Sequence, residues 1–283
     1  MKIIIFGVGG FLGKKLYDVL SKNHSVVGTC NKNEAAGMLK IDALDENRLR
    51  KFILDNKPDF VVDTIALTSS FLCERNPDLA RKLNFQTAKN ITDVCREINV
   101  PIVFFSSSFV FDGERGNYSE EDAPNPINVY GKTKLEAEKY LLSYSQSVIL
   151  RVDLLYGYNG KNLSNGILGK IIFGDKMEVG NPSQIRQPLL IDDLPEIILK
   201  LVLNKRFGIF HVAGSTKIQN LEFMKRLESL VRSDSKIEII NPKNLIVKPL
   251  NDSSLNCSKI NFLGIKTKNL DEGLNCLKKF LDH

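Results

Sequence analysis

Residues that build metal centres and disulfide frameworks are few in this sequence. There are five cysteines, an odd number with wide spacings and no Cys-x-x-Cys pair, so neither a disulfide framework nor a zinc site is indicated. The histidines, His24, His211 and His283, are scattered and predict no metal site and no Ser-His-Asp triad. Free thiols are typical of a reducing compartment, and Met1 leads directly into an apolar strand pattern. Together these features predict a cytoplasmic protein.

Long apolar runs and long runs of one charge are also missing. No apolar segment approaches the roughly 20 residues of a membrane span, so we expect no membrane partner. The net charge of +6 is spread without a basic stripe. This distribution argues against a nucleic-acid partner and suits an anionic small molecule. With 43% hydrophobic residues in a chain of 283, the composition allows a full globular core.

Short apolar runs alternate with helical patterns over the first two-thirds of the chain. The strand-like runs are Ile3–Phe6, Ser25–Thr29, Phe60–Ile65, Ile102–Ser106 and Ser147–Val152. This alternation predicts an α/β fold: a Rossmann-type doubly wound parallel sheet with helices on both faces. We assign residues 1–153 to an NADP-binding Rossmann domain. Residues 154–283 are assigned mainly to a smaller substrate-binding lobe, with some segments returning to the Rossmann core. Gly, Asn and Pro predict loops at Tyr156–Asn165 and Gly180–Gln187.

Three glycines at a spacing of three, Gly7, Gly10 and Gly13, follow the first strand and open a predicted helix. The first glycine permits a sharp turn, the second lets the backbone approach a pyrophosphate, and the third lets helix and strand pack closely. The helix N-terminus then presents free N–H groups to an anion. This spacing points towards short-chain dehydrogenases and predicts a dinucleotide site that includes Phe11 and Leu12. The alternative is a plain strand-to-helix turn.

The second strand ends without the acidic residue that usually bonds the adenosine ribose in NAD-selective folds. Asn31 and Lys32 stand there instead, and Lys32 is suited to pair with a 2′-phosphate, so NADP(H) is the predicted cofactor. Further cofactor-binding candidates are Asp42, after the next apolar stretch, and Thr64 and Ala66, at the end of a later strand. The alternative for Lys32 and Asp42 is a solvated loop position.

Ser107, Tyr130 and Lys134 supply the groups that carbonyl reduction requires. Tyr130 and Lys134 stand four residues apart in a predicted helix and therefore share a face, and Ser107 stands at the end of a predicted strand. Reducing a ketone needs hydride at carbon and a proton at oxygen. Tyr130 is the candidate proton donor, with a pKa that the Lys134 ammonium is expected to lower. Ser107 is suited to hydrogen-bond the carbonyl, and Lys134 to hold the cofactor ribose.

The motifs around these residues resemble those of the dTDP-4-dehydrorhamnose reductase family of extended short-chain dehydrogenases. Ser106-Ser107-Ser108-Phe109-Val110-Phe111-Asp112-Gly113 is similar to the family's STDYVFDG, and Val129–Glu138 is similar to its YG.SK..GE. Weaker similarities extend over essentially the whole chain. The resemblance implies that Ser107 takes the catalytic Ser/Thr place, Tyr130 the place of the acid, and Lys134 that of the cofactor-binding lysine.

The resemblance also implies a nucleotide-sugar substrate whose 4-keto group is reduced with NADPH. Ser108 stands where the family has Asp, and Phe109 where it has Tyr. Both positions lie beside the substrate, so the sugar and the base stay open. Arg186 is a candidate for the substrate diphosphate and Asn162 for a loop near the substrate. For each of these two, a surface role is the alternative.

Other functions stay open beside this reductase. A dehydratase or epimerase/reductase on the same scaffold is disfavoured because Ser107-Ser108-Phe109 lacks the acidic residues that dehydratases of this superfamily carry after the catalytic Ser/Thr. The second alternative is a non-catalytic NADP-binding regulatory subunit, resembling the methionine adenosyltransferase regulatory subunit. A homodimer is kept as a candidate assembly.

Overall fold

Strands and helices alternate along most of the computed structural model. It describes residues 1–31, 38–159, 167–172, 177–231, 237–240 and 246–281. The strands are β1 (Lys2–Phe6), β2 (Ser25–Cys30), β3 (Leu39–Lys40), β4 (Phe60–Asp63), β5 (Ile102–Ser107), β6 (Ser147–Val152), β7 (Leu155–Tyr156), β8 (Met177–Val179), β9 (Ile185–Arg186), β10 (Leu189–Leu190), β11 (Gly208–Val212), β12 (Ile218–Gln219) and β13 (Ile237–Ile239).

The helices fill most of the connections between these strands. They are α1 (Phe11–Leu20), α2 (Glu46–Asn56), α3 (Ser70–Arg75), α4 (Pro77–Arg81), α5 (Thr87–Glu97), α6 (Val129–Leu141), α7 (Ile167–Ile172), α8 (Leu194–Leu203), α9 (Asn220–Val231), α10 (Ser258–Phe262) and α11 (Leu270–Leu281). A π-helical segment at Lys82–Gln86 joins α4 to α5.

Seven parallel strands form the central sheet, in the order β11-β6-β5-β4-β1-β2-β3. The predicted Rossmann-type α/β fold is therefore confirmed. Strand β11 comes from the C-terminal half of the chain and pairs with β6. Because all strands run the same way, their carboxyl ends meet at one edge, where ligands bind in folds of this kind.

Each face of the sheet carries an apolar layer, because alternate residues of a strand point to opposite faces. Ile3 and Ile5 pack on the face covered by α1 and α8. Ile4 and Phe6 pack on the face covered by α2, α5 and α6. A third cluster, which includes Tyr156 and Phe223, draws all its members from the part of the chain after residue 153. The central strands read as continuous apolar runs because both of their faces are buried.

The element boundaries differ from the sequence prediction in a few places. Strand β4 ends at Asp63, two residues before the predicted end. The predicted loop Gly180–Gln187 contains β9, which pairs with β12. A two-residue strand exists only through its partner, so local composition does not reveal it. Lys32 and Asn162 lie outside the described residues. Within the described ranges, no helix is long and apolar enough to cross a membrane.

Candidate active site

The turn after β1 is tight because the chain packs against itself there. Gly7 has φ +87°, and its N–H donates to the Thr29 carbonyl at 3.1 Å. A Cβ at Gly7 would lie 2.7 Å from Thr64 Oγ1, and one at Gly13 would lie 2.4 Å from the Gly7 oxygen. Gly7 is required by its positive φ and by this close approach, and Gly13 by its close approach alone. The first and third glycines therefore serve the turn and the helix–strand packing, as predicted.

Gly10 stands in a different situation. Its φ is −89°, and a Cβ there would meet a single atom, the Gly7 oxygen, at 3.3 Å. Helix α1 begins at Phe11 with no side-chain cap and no acidic residue in its first turn. Its first N–H groups and the positive end of its dipole are therefore left for an anion.

A cavity of about 320 Å³ lies beside this turn, at the ends of β1, β2 and β4. Four of the residues assigned to the cofactor by sequence, apart from the glycines, line it: Asn31, Asp42, Thr64 and Ala66. Asp42 Oδ1 also accepts a hydrogen bond from the Leu44 N–H at 2.9 Å, which fixes the turn before α2. Backbone and small side chains make up most of this wall.

A second cavity, of about 590 Å³, adjoins the first at Gly10, Thr64 and Ala66. Ser107, Tyr130, Lys134 and Arg186 line it, together with the helix start formed by Gly10, Phe11, Leu12 and Gly13. Side chains from β5, α6 and β9 thus meet the glycine turn in one space.

Local hydrogen bonds fix the start of α6, which carries Tyr130 and Lys134. The Asn128 side chain caps the helix by accepting from the Gly131 N–H at 2.8 Å. The Val129 N–H donates to Glu74 Oε1 at 2.8 Å. A Cβ at Gly131 would lie 2.0 Å from the Phe109 oxygen, so glycine lets α6 approach the turn after β5. This close approach brings Tyr130 towards Ser107.

Tyr130 is half-buried in the cavity wall, and its ring packs edge-on against Phe109 with centroids 5.8 Å apart. Burial raises the pKa of Tyr130 to about 12, opposed by the Ser107 hydroxyl and by the charge of Arg186. The predicted lowering of this pKa by Lys134 is therefore wrong for the protein alone, because burial outweighs the neighbouring charges. The phenol is protonated at neutral pH, which is the form that a proton donor needs.

Lys134 is 2% exposed, and its ammonium lies 4.5 Å from the centroid of the Phe104 ring. Burial lowers the pKa of Lys134 to about 8, opposed by the negative charges of Asp63 and Glu138. Glu138 itself is held by Arg151, at 2.7 Å, and accepts from the Ser106 hydroxyl. A buried network therefore anchors α6 to the ends of β5 and β6.

Arg186 reaches the cavity through a cluster centred on Asp153, a residue that the sequence analysis missed. Arg186 Nη2 lies 2.9 Å from Asp153 Oδ1, and its guanidinium carbon lies 5.5 Å from the Phe109 centroid. Asp153 also accepts from Ser108 Oγ at 2.8 Å and from Ser253 Oγ at 3.1 Å. The sequence feature that could have identified Asp153 is its position directly after β6, at the edge of the sheet where ligands bind in such folds.

Ser108 and Ser107 face different surroundings although they are neighbours. Ser108 is fully buried, and its hydroxyl is engaged with Asp153. It is not part of the cavity lining, whereas Ser107 and Phe109 are. The Ser108 hydroxyl therefore points to Asp153 and not into the cavity. Its assignment to the substrate stays a prediction.

Comparison with known proteins shows which family the chain belongs to. The family described as "RmlD substrate binding domain" matches residues 1–281. The chain belongs to this family. Among solved structures, it is similar to a hypothetical dTDP-4-dehydrorhamnose reductase from Sulfolobus tokodaii, with 31% identity and a TM-score of 0.82. That match covers 96% of this chain and 98% of the other.

Two further similarities point in different functional directions. A dTDP-4-dehydrorhamnose reductase from Clostridium acetobutylicum is 28% identical, with a TM-score of 0.87 and full coverage of both chains. The "Methionine adenosyltransferase 2 subunit beta" of Bos taurus is also 28% identical, over 93% of this chain and 83% of its own length. Family membership supports a reductase-like scaffold.

Proposed function

We propose that this protein uses NADPH to reduce the 4-keto group of a nucleotide-sugar to a hydroxyl group. The observation that carries the proposal is the second cavity. Its lining joins Ser107, Tyr130 and Lys134 to the uncapped start of α1. A hydroxyl donor, a protonated phenol and an ammonium beside an anion-binding helix end are the groups that carbonyl reduction with a dinucleotide needs.

The residues at the glycine turn fit a dinucleotide. Gly10 opens towards both cavities, and the free N–H groups of α1 suit a pyrophosphate. We assign the first cavity, with Asn31, Asp42, Thr64 and Ala66, to the adenosine half. Lys32 is assigned to the 2′-phosphate. When bound, the cofactor supplies the hydride.

The protein's own side chains would handle the carbonyl oxygen. Ser107 donates a hydrogen bond that orients the carbonyl and stabilises the developing negative charge. Tyr130 gives its phenolic proton to that oxygen, for which its raised pKa keeps it in the protonated form. Lys134 holds the cofactor ribose beside them. Arg186 and Asn162 are assigned to the nucleotide-sugar, with Arg186 facing its diphosphate.

Replacing Tyr130 by phenylalanine tests this assignment, because it removes one hydroxyl and keeps the ring. NADPH binding should survive, since the glycine turn and Lys134 are untouched. NADPH oxidation with a 4-keto deoxysugar nucleotide should fall by roughly two orders of magnitude or more. Tyr140→Phe is the matched control: it lies on the same helix, and its hydroxyl bonds Asp93 outside the cavity. Equal turnover of wild type and Tyr130→Phe would exclude Tyr130 as the proton donor.

A second candidate is a non-catalytic NADP-binding regulatory subunit. The relatives named methionine adenosyltransferase 2 subunit beta, at 28–29% identity in several vertebrates, favour it. This function needs NADPH binding without turnover. If wild type binds NADPH but oxidises none with any of a panel of keto-sugar nucleotides, the regulatory function becomes the better proposal. Mixing the protein with a methionine adenosyltransferase catalytic subunit would then test association directly.

A further inference from the structure

Asp63, the last residue of β4, is a buried acid with an unsatisfied oxygen. It is 1% exposed. Its Oδ1 accepts a hydrogen bond from the Ile65 N–H at 2.9 Å, and its Oδ2 is buried with no hydrogen-bond partner. A buried carboxylate without full pairing is expensive, and native proteins keep such groups rarely unless another charge compensates them. The proposed reaction assigns nothing to this residue.

The sheet brings Asp63 close to Lys134 through a shared neighbour, Phe104. Asp63 stands directly opposite Phe104 in the register of β4 and β5. The Lys134 ammonium lies 4.5 Å from the centre of the same ring. Neither Asp63 nor Lys134 enters an ion pair in the part of the chain that the structure describes. The two charges therefore act on each other through the low-dielectric interior, without contact.

We propose that Asp63 is a positioning residue for Lys134: its negative charge keeps the buried ammonium protonated at the cavity wall. The proposal rests on the proposed function, because that function gives Lys134 its task at the cofactor. Asp63 is not among the residues that line either cavity, whereas its neighbours Thr64 and Ala66 line both.

The effects on the two pKa values are reciprocal. Burial lowers the pKa of Lys134 to about 8, and Asp63 is the strongest opposing influence. Burial also raises the pKa of Asp63 to about 6, and the Lys134 charge opposes that rise. Between about pH 6 and 8 both groups are therefore charged. Each one stabilises the charge of the other in this window.

The other ionisable groups near Asp63 and Lys134 are either already paired or neutral, so Asp63 is the negative charge that is available to Lys134. Glu138, from α6, makes an ion pair with Arg151. Cys73, from α3, has a pKa raised by burial to about 11 and is neutral at these pH values. Cys95, from α5, faces Asp63, and burial raises its pKa far above neutrality. Among these groups around Lys134, Asp63 alone combines an ionised group with an unpartnered oxygen.

Asp63→Asn tests the proposal, because it removes the charge while keeping the shape and an acceptor for the Ile65 N–H. Removing a neighbouring negative charge should lower the Lys134 pKa by about one unit. The pH at which kcat/KM falls on the alkaline side should therefore decrease by the same amount. The pH at which NADPH affinity falls on the alkaline side should decrease with it. Cys73→Ser is the control: it replaces a neutral group beside Lys134 and should leave both pH values unchanged.

A measurement on the protein alone separates this proposal from the proposed function. Lysine labelled with ¹³C at Cε reports the Lys134 titration by NMR, with Lys134→Arg used to assign the signal. The midpoint should lie near pH 8 in wild type and about one unit lower in Asp63→Asn. An unchanged midpoint would overturn the role of Asp63, whether or not any keto-sugar is turned over.

A reciprocal variant keeps the test available if Asp63→Asn does not fold. Lys134→Met removes the positive charge and should raise the Asp63 pKa above its value of about 6. Labelling the aspartate carboxyl carbons with ¹³C reports this titration, and Asp63→Glu, which displaces the signal, helps its assignment. An Asp63 midpoint that does not rise would contradict the electrostatic coupling.

Discussion

The two cavities that meet at Gly10 are built in different ways. The first is lined largely by backbone and small side chains, and Asp42 is the one charged residue among its described lining. The second contains Lys134, Asp153 and Arg186, which come from α6, the end of β6 and β9. The glycine turn contributes Gly7, Gly9 and Gly10 to the first cavity, and the rest of its lining comes from separate segments between residues 29 and 87. Long-range pairing makes the second, so its chemistry depends on the whole fold.

The largest expected effect concerns the glycine turn. There, Gly10 is expected to be needed for cofactor binding and Gly13 for the packing of the protein itself. Gly10→Val should abolish NADPH binding, because its side chain would occupy the space beside the pyrophosphate. It should leave the protein folded, since the nearest atom to a Cβ there is 3.3 Å away. Changing Gly at a helix N-cap to an apolar residue costs about 1 kcal/mol. Titration by fluorescence, together with circular dichroism, measures both effects.

Gly13→Ala provides the contrast to Gly10→Val. Its Cβ would lie 2.4 Å from the Gly7 oxygen. Forcing a methyl group into such a packed site costs about 1–3 kcal/mol of unfolding free energy. Thermal unfolding should therefore separate the two variants. If Gly10→Val binds NADPH normally and keeps its fold, the glycine turn only connects β1 to α1 and does not bind the pyrophosphate.

An intermediate effect is expected in the second cavity. Arg186→Ala should raise KM for the nucleotide-sugar by roughly tenfold or more, the scale of one lost charge-assisted hydrogen bond. NADPH affinity should change much less, because Arg186 is not part of the lining of the first cavity, which is assigned to the adenosine half. Arg186→Lys is the control that keeps the charge but loses the fork bound to Asp153. An unchanged KM in both variants would assign Arg186 to structure alone.

The smallest expected effect concerns cofactor choice in the first cavity. Wild type should bind NADPH more tightly than NADH, and Lys32→Ala should narrow the gap by roughly fivefold at most, the scale of an exposed ion pair. The control is Lys57→Ala, which follows α2 and precedes β4 at the opposite edge of the sheet. Isothermal titration with both cofactors measures the ratio. Equal or reversed affinities in wild type would contradict the prediction of an NADP(H) protein.

Several features of the site could be predicted from the sequence because residues close together in the chain form them. Gly7 and Gly13 are required by a local turn, and the spacing of Tyr130 and Lys134 on one helix fixes their common face. The order of strands and helices followed from apolar periodicity, and the parallel sheet followed from that order. A local sequence pattern is sufficient to predict a structural feature when the interactions that require this feature involve residues only a few positions apart.

Burial and distant pairing were decided by the tertiary structure. The sequence suggested that Lys134 would lower the pKa of Tyr130. The fold instead buries Lys134 and half-buries Tyr130, and desolvation raises the pKa of Tyr130. The sequence placed Ser108 beside a ligand, but the fold turns its hydroxyl to Asp153, 45 residues away. Whether a charge enters an ion pair, as Arg186 does, or has no ion pair within the described part of the chain, as with Asp63, depends on strands that meet only in the folded sheet. The local sequence therefore determines at which end of a strand or on which face of a helix a reactive group lies. The packed interior determines the protonation state of that group and the groups that it pairs with.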